Sequence, residues 1–494
     1  MRWTEPMRGG SRRFAGFALP PNNAFPMTPR SIQAITMAAT ITASACTTST
    51  TTHVDIVPSV SGLAIIPAGS GWLGDPRIGL VRDAALESAL ADVSPARIRA
   101  TDSALVSFGT RNTFSDTISS TRGIGAARRW LFDQLRQASR DCGGCLRVEY
   151  DAALIPVPRH PRGISANIVN VLGILPGRDT NRVIVMGGHY DSCVCGVPPN
   201  GGVDSTSTAP GANDDGSGTS AVVELARVVS KRYPRGLDAT VIFVLHAAEE
   251  QGLLGATHLA QRLKAEGKQV VAGMTDDIIG NVVAEDGSAD STSVRIFAQD
   301  PDTSSSRELG RYVWALGTMY LPGFEVLPVF RLDRIGRGGD HTPYIQAGWP
   351  GLRFTERLEN YKRQHLPTDD LPHVNFGYVA QVARLNAATI LSLGAAPAAP
   401  DTVIARRENA ATGGQAWSLR WTPVAGATRY EILVRRTTSP SWERVIPVSS
   451  RLTHQLDFQL DDGWAAVRAV GPNGHRSLAR TAGPAARAAS APRP

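Results

Sequence analysis

The sequence predicts an α/β protein, a sheet covered by helices on both faces, with a small all-β sandwich behind it. Three observations carry this. The runs VIVM at 183–186 and VIFVL at 241–245 are continuously apolar, as in strands buried on both faces. Segments of helical period precede them and lie between them. After residues 395–402, rich in Ala and Pro, the chain turns to β-type alternation broken by turn residues. A length of 494 residues is enough for two domains, one with a sizeable core.

In chain order, residues 1–45 read as a leader. From Met27, Arg30 supplies a positive start, Ile32 to Ile41 a weakly apolar stretch, and Ala43-Ser44-Ala45 a small-residue cleavage site. Cys46 follows directly, which leaves plain secretion and a lipid anchor at Cys46 both open, since Ala43 stands where a lipoprotein signal usually has leucine. Either way the expected location is extracytoplasmic: periplasmic, secreted or membrane-tethered. Residues 46–75 form a tether that opens rich in Thr and Ser. The pattern from Pro76 to Ser139 is helical, and GIGAARRWLFDQLRQAS (123–139) places Ile124, Ala127, Trp130, Leu131 and Leu135 along one face. LRVEYDAAL (146–154), ISANIVNVLGIL (164–175) and VIVMGGHYD (183–191) are strand-like. TSAVVELARVVSK (219–231) is an amphipathic helix with Ala221, Val222, Leu225, Val228 and Val229 inward, and VIFVL follows as a strand. The first domain closes at 394, 395–402 is a linker, and 403–490 forms the sandwich.

The formal charge of +7 is uneven. Residues 1–45 carry five arginines against Glu5, and 401–494 carry 13 arginines against 7 acids, so 46–400 is net acidic. The basic balance belongs to the ends, and no nucleic-acid partner is expected. Besides Cys46 there are two close pairs, Cys142-x-x-Cys145 and Cys193-x-Cys195. In an exported chain an even number reads as disulfides, within or between the pairs; a four-thiolate zinc site is the rival reading.

Chemistry gathers where the buried strands end. The first releases His189 and Asp191, the second Glu249 and Glu250, and between them GANDDGSG (211–218) carries Asp214 and Asp215 on a glycine-punctuated turn. Imidazole and several carboxylates at the carboxyl edge of an α/β sheet are the donor set of a hydrolytic zinc site.

HYD at 189–191, APGANDDGSG at 209–218, AAEEQGLLGA at 247–256, DDIIGN at 276–281 and GDHTPYIQAGWP at 339–350 stand in this order, flanked by SFGTRNT (107–113) and ENYKRQHLPTDDL (359–371). Together they resemble the co-catalytic zinc exopeptidases, the family of bacterial leucyl aminopeptidase, aminopeptidase Y and glutamate carboxypeptidase II. The resemblance implies a three-layer α/β/α sandwich with a mixed central sheet. It also implies two zinc ions, one held by His189, Asp214 and Asp277, the other by Asp214, Glu250 and His341, with Asp214 bridging. Glu249 is implied as general base, and Asp191 as the residue that orients the His189 ring. The family often has a cis bond after the bridging aspartate. Asp277 is preferred to Asp276 because it opens the Asp-Ile-Ile-Gly string, which leaves Asp276 at the surface. Asp215 is expected to stabilise the turn, His246 to pack, and His365 has no assigned role because Lys362 to Gln364 depart from the family pattern. GRGGD (336–340) reads as a flexible approach to His341.

The implied activity is removal of amino-terminal residues from peptides by a metal-activated water. Tyr344, Trp349 and Phe354 are candidates for a side-chain pocket, with core packing the expected role of at least two. A carboxypeptidase of the same fold is the alternative, for which Arg331, Arg334 and Arg337 are available. A one-zinc glutaminyl cyclase and a catalytically dead binding protein are further alternatives, against which the complete ligand set and Glu249 speak. Trp421 with Pro423, Tyr430 and WAAVRAVGPNG (464–474) resemble a fibronectin type III module, expected to bind a surface or polymer.

Overall fold

The computed structural model describes residues 77, 79–198, 201–299, 301–409 and 415–484. The leader, the tether and Cys46 lie outside the described residues. Eight helices, α1 (Ala84–Leu90), α2 (Pro95–Ser107), α3 (Gly123–Asp141), α4 (Gly218–Arg232), α5 (Leu254–Ala265), α6 (Ser305–Tyr320), α7 (Thr342–Gln346) and α8 (Phe376–Gly394), surround a sheet. Its strands are β1 (Arg147–Pro156), β2 (Ser165–Leu175), β3 (Asp179–His189), β4 (Ala239–His246), β5 (Gln269–Asp276), β6 (Ser293–Ala298), β7 (Glu325–Val329) and β8 (Gly351–Glu356). They lie in the order β1-β2-β4-β3-β5-β8-β6-β7. The sheet is mixed: β4, β3, β5 and β8 run parallel at its centre, while β1, β2 and the β6/β8 pair are joined antiparallel.

The two central apolar runs are strands because each feeds both faces. Ile184 and Met186 of β3, with Val241, Phe243 and Leu245 of β4, enter the core shared with α1–α4, α6 and α8. Val183 and Val185, with Ile242 and Val244, point to the opposite face and pack on Leu259, Ala260 and Leu263 of α5 and on Tyr344 of α7. A period of two thus divides one apolar run between two helical layers. Helix α3 buries Ile124, Ala127, Leu131 and Leu135, the face its sequence marks.

Four neighbouring parallel strands bring four carboxyl ends to one edge of the sheet. His189 ends β3 in register with His246, which ends β4, and the turn after His246 carries Glu249 and Glu250. β5 ends at Asp276, beside Phe354 of β8. The start of α4 lies close over the end of β3: a Cβ at Gly188 would come within 2.8 Å of the Gly218 and Thr219 backbone, so that contact requires glycine.

Beyond α8 the segment from 395 to 400 is packed, with Ala396 and Pro400 accepting hydrogen bonds from Arg182 and Arg480. Eight further strands, β9 (Val403–Asn409), β10 (Gln415–Trp421), β11 (Arg429–Arg436), β12 (Arg444–Val448), β13 (Thr453–Gln455), β14 (Gly463–Val470), β15 (Arg480–Thr481) and β16 (Gly483–Pro484), form two four-stranded sheets. Leu419, Trp421, Tyr430, Ile432, Val434 and Val467 fill the core between them. This β layer is tied to α6 by buried polar groups: Trp442 donates to Glu308 at 2.8 Å, Glu308 pairs with Arg311 at 2.5 Å, and Arg435 reaches Asp302 at 2.7 Å. Both cysteine pairs are disulfides, Cys142–Cys145 and Cys193–Cys195.

Candidate metal centre

His189 is the last residue of β3 and is buried, with its Nε2 3.2 Å from Asp214 Oδ1 and 3.8 Å from Asp277 Oδ1. Asp214 lies on the turn Ala212–Ser217 that leads into α4, and its bond to Asp215 is cis. Its other oxygen, Oδ2, is 3.0 Å from His365 Nε2, which in turn is 3.3 Å from Glu250 Oε2. Two donor triads therefore share one carboxylate: His189, Asp214 and Asp277 on one side, Asp214, Glu250 and His365 on the other. Donor atoms about 2.0–2.2 Å from a tetrahedral zinc stand about 3.4 Å from one another, close to the 3.2 and 3.8 Å around His189 and the 3.0 and 3.3 Å around His365. Glu250 Oε1 is buried with no partner among the described residues.

The electrostatics favour positive charge beside Glu249 and Glu250. Burial and the neighbouring Asp277, Asp214 and Asp191 charges push Glu249 up to about 7. Burial, with Asp214 and Glu249 adding to it, also raises Glu250 well above the carboxylate range. Glu250 above all, together with Asp214, holds the His365 ring proton to about 10 against the effect of burial. A proton and a metal ion meet the same need here, and the N/O donor set suits zinc.

The structure corrects one implied ligand. His341 is buried, but its Nε2 stands 2.8 Å from the Leu332 carbonyl and its Nδ1 has no partner among the described residues. It heads α7 beside Asp333, and His365 takes the place at Asp214 and Glu250 that the resemblance gave to His341. His365 lies in the loop after β8, which is anchored four residues later. The Asp369 carboxylate accepts the backbone N–H groups of Asn213 and Asp214, each at 2.9 Å, and so pins this loop onto the bridging turn. Only the loose match of ENYKRQHLPTDDL pointed there, and periodicity gives no signal in an irregular loop.

Asp191 meets the His189 ring more closely through its backbone than through its carboxylate. The His189 Nδ1 group meets the Asp191 backbone carbonyl at 3.1 Å, while the nearest carboxylate oxygen is 3.6 Å away. That carboxylate instead accepts the backbone N–H of Glu249 at 3.1 Å and of Glu250 at 3.3 Å, and fixes the turn that carries both. Asp276 is not at the surface: it is fully buried, and Asn386 donates to both its oxygens at 2.7 and 2.6 Å. Asp215 serves the turn, accepting from the backbone of His189, Gly218 and Ile278. His246 is packed, and burial lowers its ring to about 3. Tyr344 and Phe354 belong to the core, and Trp349, half-buried, packs against it.

Two supporting groups carried no sequence signal of their role. Arg353 of β8 pairs with Asp277 at 2.8 Å and with Asp333 at 3.0 Å, so it orients a ligand carboxylate. Arg111 is fully buried and donates to the carbonyls of Tyr190, Pro210 and Gly211, clamping the exit of β3 to the Asp214 turn. Among the described residues the four non-glycine positions with positive φ, Ala248, Leu253, Ile278 and His365, lie at or beside this centre. Such strain persists where surrounding contacts over-determine the backbone.

A cavity of about 230 Å³ opens onto the centre, lined in part by Asp214, Glu249, Glu250, Asp277 and His365. Residues 170–390, which carry most of these groups, match the model of Peptidase family M28. A probable zinc metalloprotease of Leptosphaeria maculans is 37% identical over 442 residues, covering 81% of this chain and 98% of that protein. A second, from Pyricularia oryzae, is 34% identical over 455 residues, covering 84% of this chain and 87% of its own. Among solved structures, LapB from Legionella pneumophila shares the fold with a TM-score of 0.50 at 23% identity, covering 64% of this chain and 76% of LapB. With a relative this similar matched over nearly its whole length, and the family model spanning the strands that build the centre, the chain belongs to peptidase family M28 and is a metallopeptidase.

Proposed function

We propose that this chain is an exported exopeptidase that holds two zinc ions and removes amino-terminal residues from peptides. The observation that carries the reading is the sharing of Asp214 between two donor triads, with Glu249 facing the same cavity. Zinc at such a site supplies Lewis acidity that polarises a carbonyl and lowers the pKa of water. The chain supplies the rest. Glu249, which faces the cavity, can accept the proton of an attacking water and return it to the departing amine. Asp191 holds the Glu249 and Glu250 backbone, so base and ligand keep a fixed separation. Arg353 and Asp369 hold Asp277 and Asp214 in place.

The cavity is sized for one residue at a chain end, which supports terminal over internal cleavage. Export is supported by the leader-like residues 1–45 and by two disulfides, which persist in oxidising compartments. The β layer, with the Trp421 and Tyr430 core of the fibronectin-like pattern, is the candidate for docking on a surface or polymer. A panel of amino-terminal and carboxy-terminal reporter peptides, assayed after chelation and after zinc is restored, tests the reading. Hydrolysis of amino-terminal reporters that depends on zinc is expected; cleavage of carboxy-terminal reporters alone would replace it with a carboxypeptidase.

A further inference from the structure

The Cys193–Cys195 disulfide lies against the second donor triad. Cys193 Sγ, a carboxylate oxygen of Glu250 and a ring nitrogen of His365 all lie within 4.8 Å of one another, and Cys195 Sγ is 4.0 Å from Glu250 Oε2. The loop that carries the pair is also tied to the ligand loop, since Gly196 donates its backbone N–H to the His365 carbonyl at 3.1 Å. Cys193 is buried and Cys195 half-buried, followed by the exposed Gly196, Val197 and Pro198. Cys195 is therefore the sulfur that a reagent from solvent reaches, and Cys193 the one held among the ligands.

Stiffening the loop does not account for a bond at this place. A disulfide stabilises mainly by restricting the unfolded chain, and the effect grows with the length of the loop it closes; this one spans a sequence separation of 2. The exit of β3 is already held on both sides, with Ser192 Oγ accepting the Arg111 N–H at 3.1 Å and donating to the Ala209 carbonyl at 2.8 Å. What the bond controls is the sulfur itself: a thiolate is a strong zinc ligand and a disulfide is not. Zinc sites that do chemistry hold the ion with three protein donors and keep one position open, whereas structural sites close it with a fourth. Asp214, Glu250 and His365 are three donors, and Cys193 is placed to be the fourth.

We propose that the disulfide masks this fourth donor: reduction by an external dithiol frees Cys193 to bind the second ion and close its coordination, and reoxidation opens it again. The inference rests on the two-zinc peptidase reading above. A thiolate of the reductant attacks Cys195 Sγ, the S–S bond breaks, and its electron pair leaves on Cys193 as the thiolate that binds the ion. The second thiol of the reductant then displaces Cys195 from the mixed disulfide. The dithiol is oxidised to a disulfide, one of its two protons ends on Cys195 and the other in solvent. In an oxidising compartment the pair stays bonded and the site stays open.

The test replaces zinc by cobalt(II) in the full chain, because a cobalt–thiolate bond gives a near-ultraviolet charge-transfer band that nitrogen and oxygen donors do not. A phosphine serves as reductant, taking an oxygen from water and adding no thiolate of its own. Native protein is expected to gain the band on reduction, with loss of turnover of an amino-terminal reporter, and to reverse both changes on reoxidation. Cys195→Ser, which frees Cys193 permanently, should carry the band without reductant; Cys193→Ser should lack it with or without reductant. Both variants lose the disulfide, so a difference between them belongs to the Cys193 sulfur and not to a loosened loop. The native measurement stands alone if either variant fails to fold. No band in the reduced native protein, a band in Cys193→Ser, or a band with undiminished turnover overturns the proposal. Hydrolysis by the oxidised protein with no band on reduction strikes the thiolate donor and leaves the peptidase reading standing, and a band with no hydrolysis in either state does the reverse.

Discussion

Replacing His365 by alanine removes one of the three donors of the second site and leaves Glu250 with a carboxylate that the first site also claims. His365 Nε2 stands 3.0 Å from Asp214 and 3.3 Å from Glu250, so its loss withdraws the neutral ligand and leaves the site entirely anionic. Even the loss of a residue that only orients a ligand costs about 10–100-fold in metal affinity, so a direct donor should cost at least about a hundredfold. After dialysis against a weak chelator, elemental analysis should find the zinc content of His365→Ala reduced from two ions per chain toward one. His341→Ala is the control. It deletes a buried ring whose bond is to the Leu332 carbonyl, and should lower stability by about 2–3 kcal/mol through the lost hydrogen bond and the cavity left behind. Its zinc content should stay at two. Two ions in His365→Ala and one in His341→Ala would refute the assignment and restore His341 as ligand.

Three other outcomes are expected. Glu249→Gln keeps shape and leaves every donor in place, so zinc content should hold while turnover falls about 10²–10⁴-fold; a fully loaded variant with near-native turnover removes Glu249 from the reaction. Asp369→Ala strips two backbone N–H groups of their acceptor beside Asp214 and should weaken zinc about tenfold or more, with both ions affected, as a competition titration with a chromophoric chelator would show. Thiol labelling of the unfolded, unreduced protein should find no reactive group among Cys142, Cys145, Cys193 and Cys195, and labelling of Cys193 or Cys195 would contradict the disulfide beside Glu250.

Much of the centre was legible because parallel strands convert sequence position into place. An apolar run that must be buried on both faces is a central strand, and its carboxyl end is fixed at the sheet edge to within a residue or two. His189 follows directly from VIVMGG, Glu249 and Glu250 from VIFVL, and Asp277 from the end of β5, because the β4-β3-β5 register carries all three to one edge. Asp214 was legible from its glycine-rich turn and its order among the motifs. What the tertiary structure alone decided lies in side-chain direction and in loops. Asp276 and Asp277 are neighbours at a strand end, where successive side chains point to opposite faces. That parity sends the first to Asn386 inside the core and the second toward His189. His341 and His365 both stand in loops at the same edge, one before β8 and one after it, and no periodicity says which loop returns over Asp214. The return is set by Asp369 accepting two backbone N–H groups from the bridging turn, a contact between segments more than 150 residues apart that no local pattern encodes.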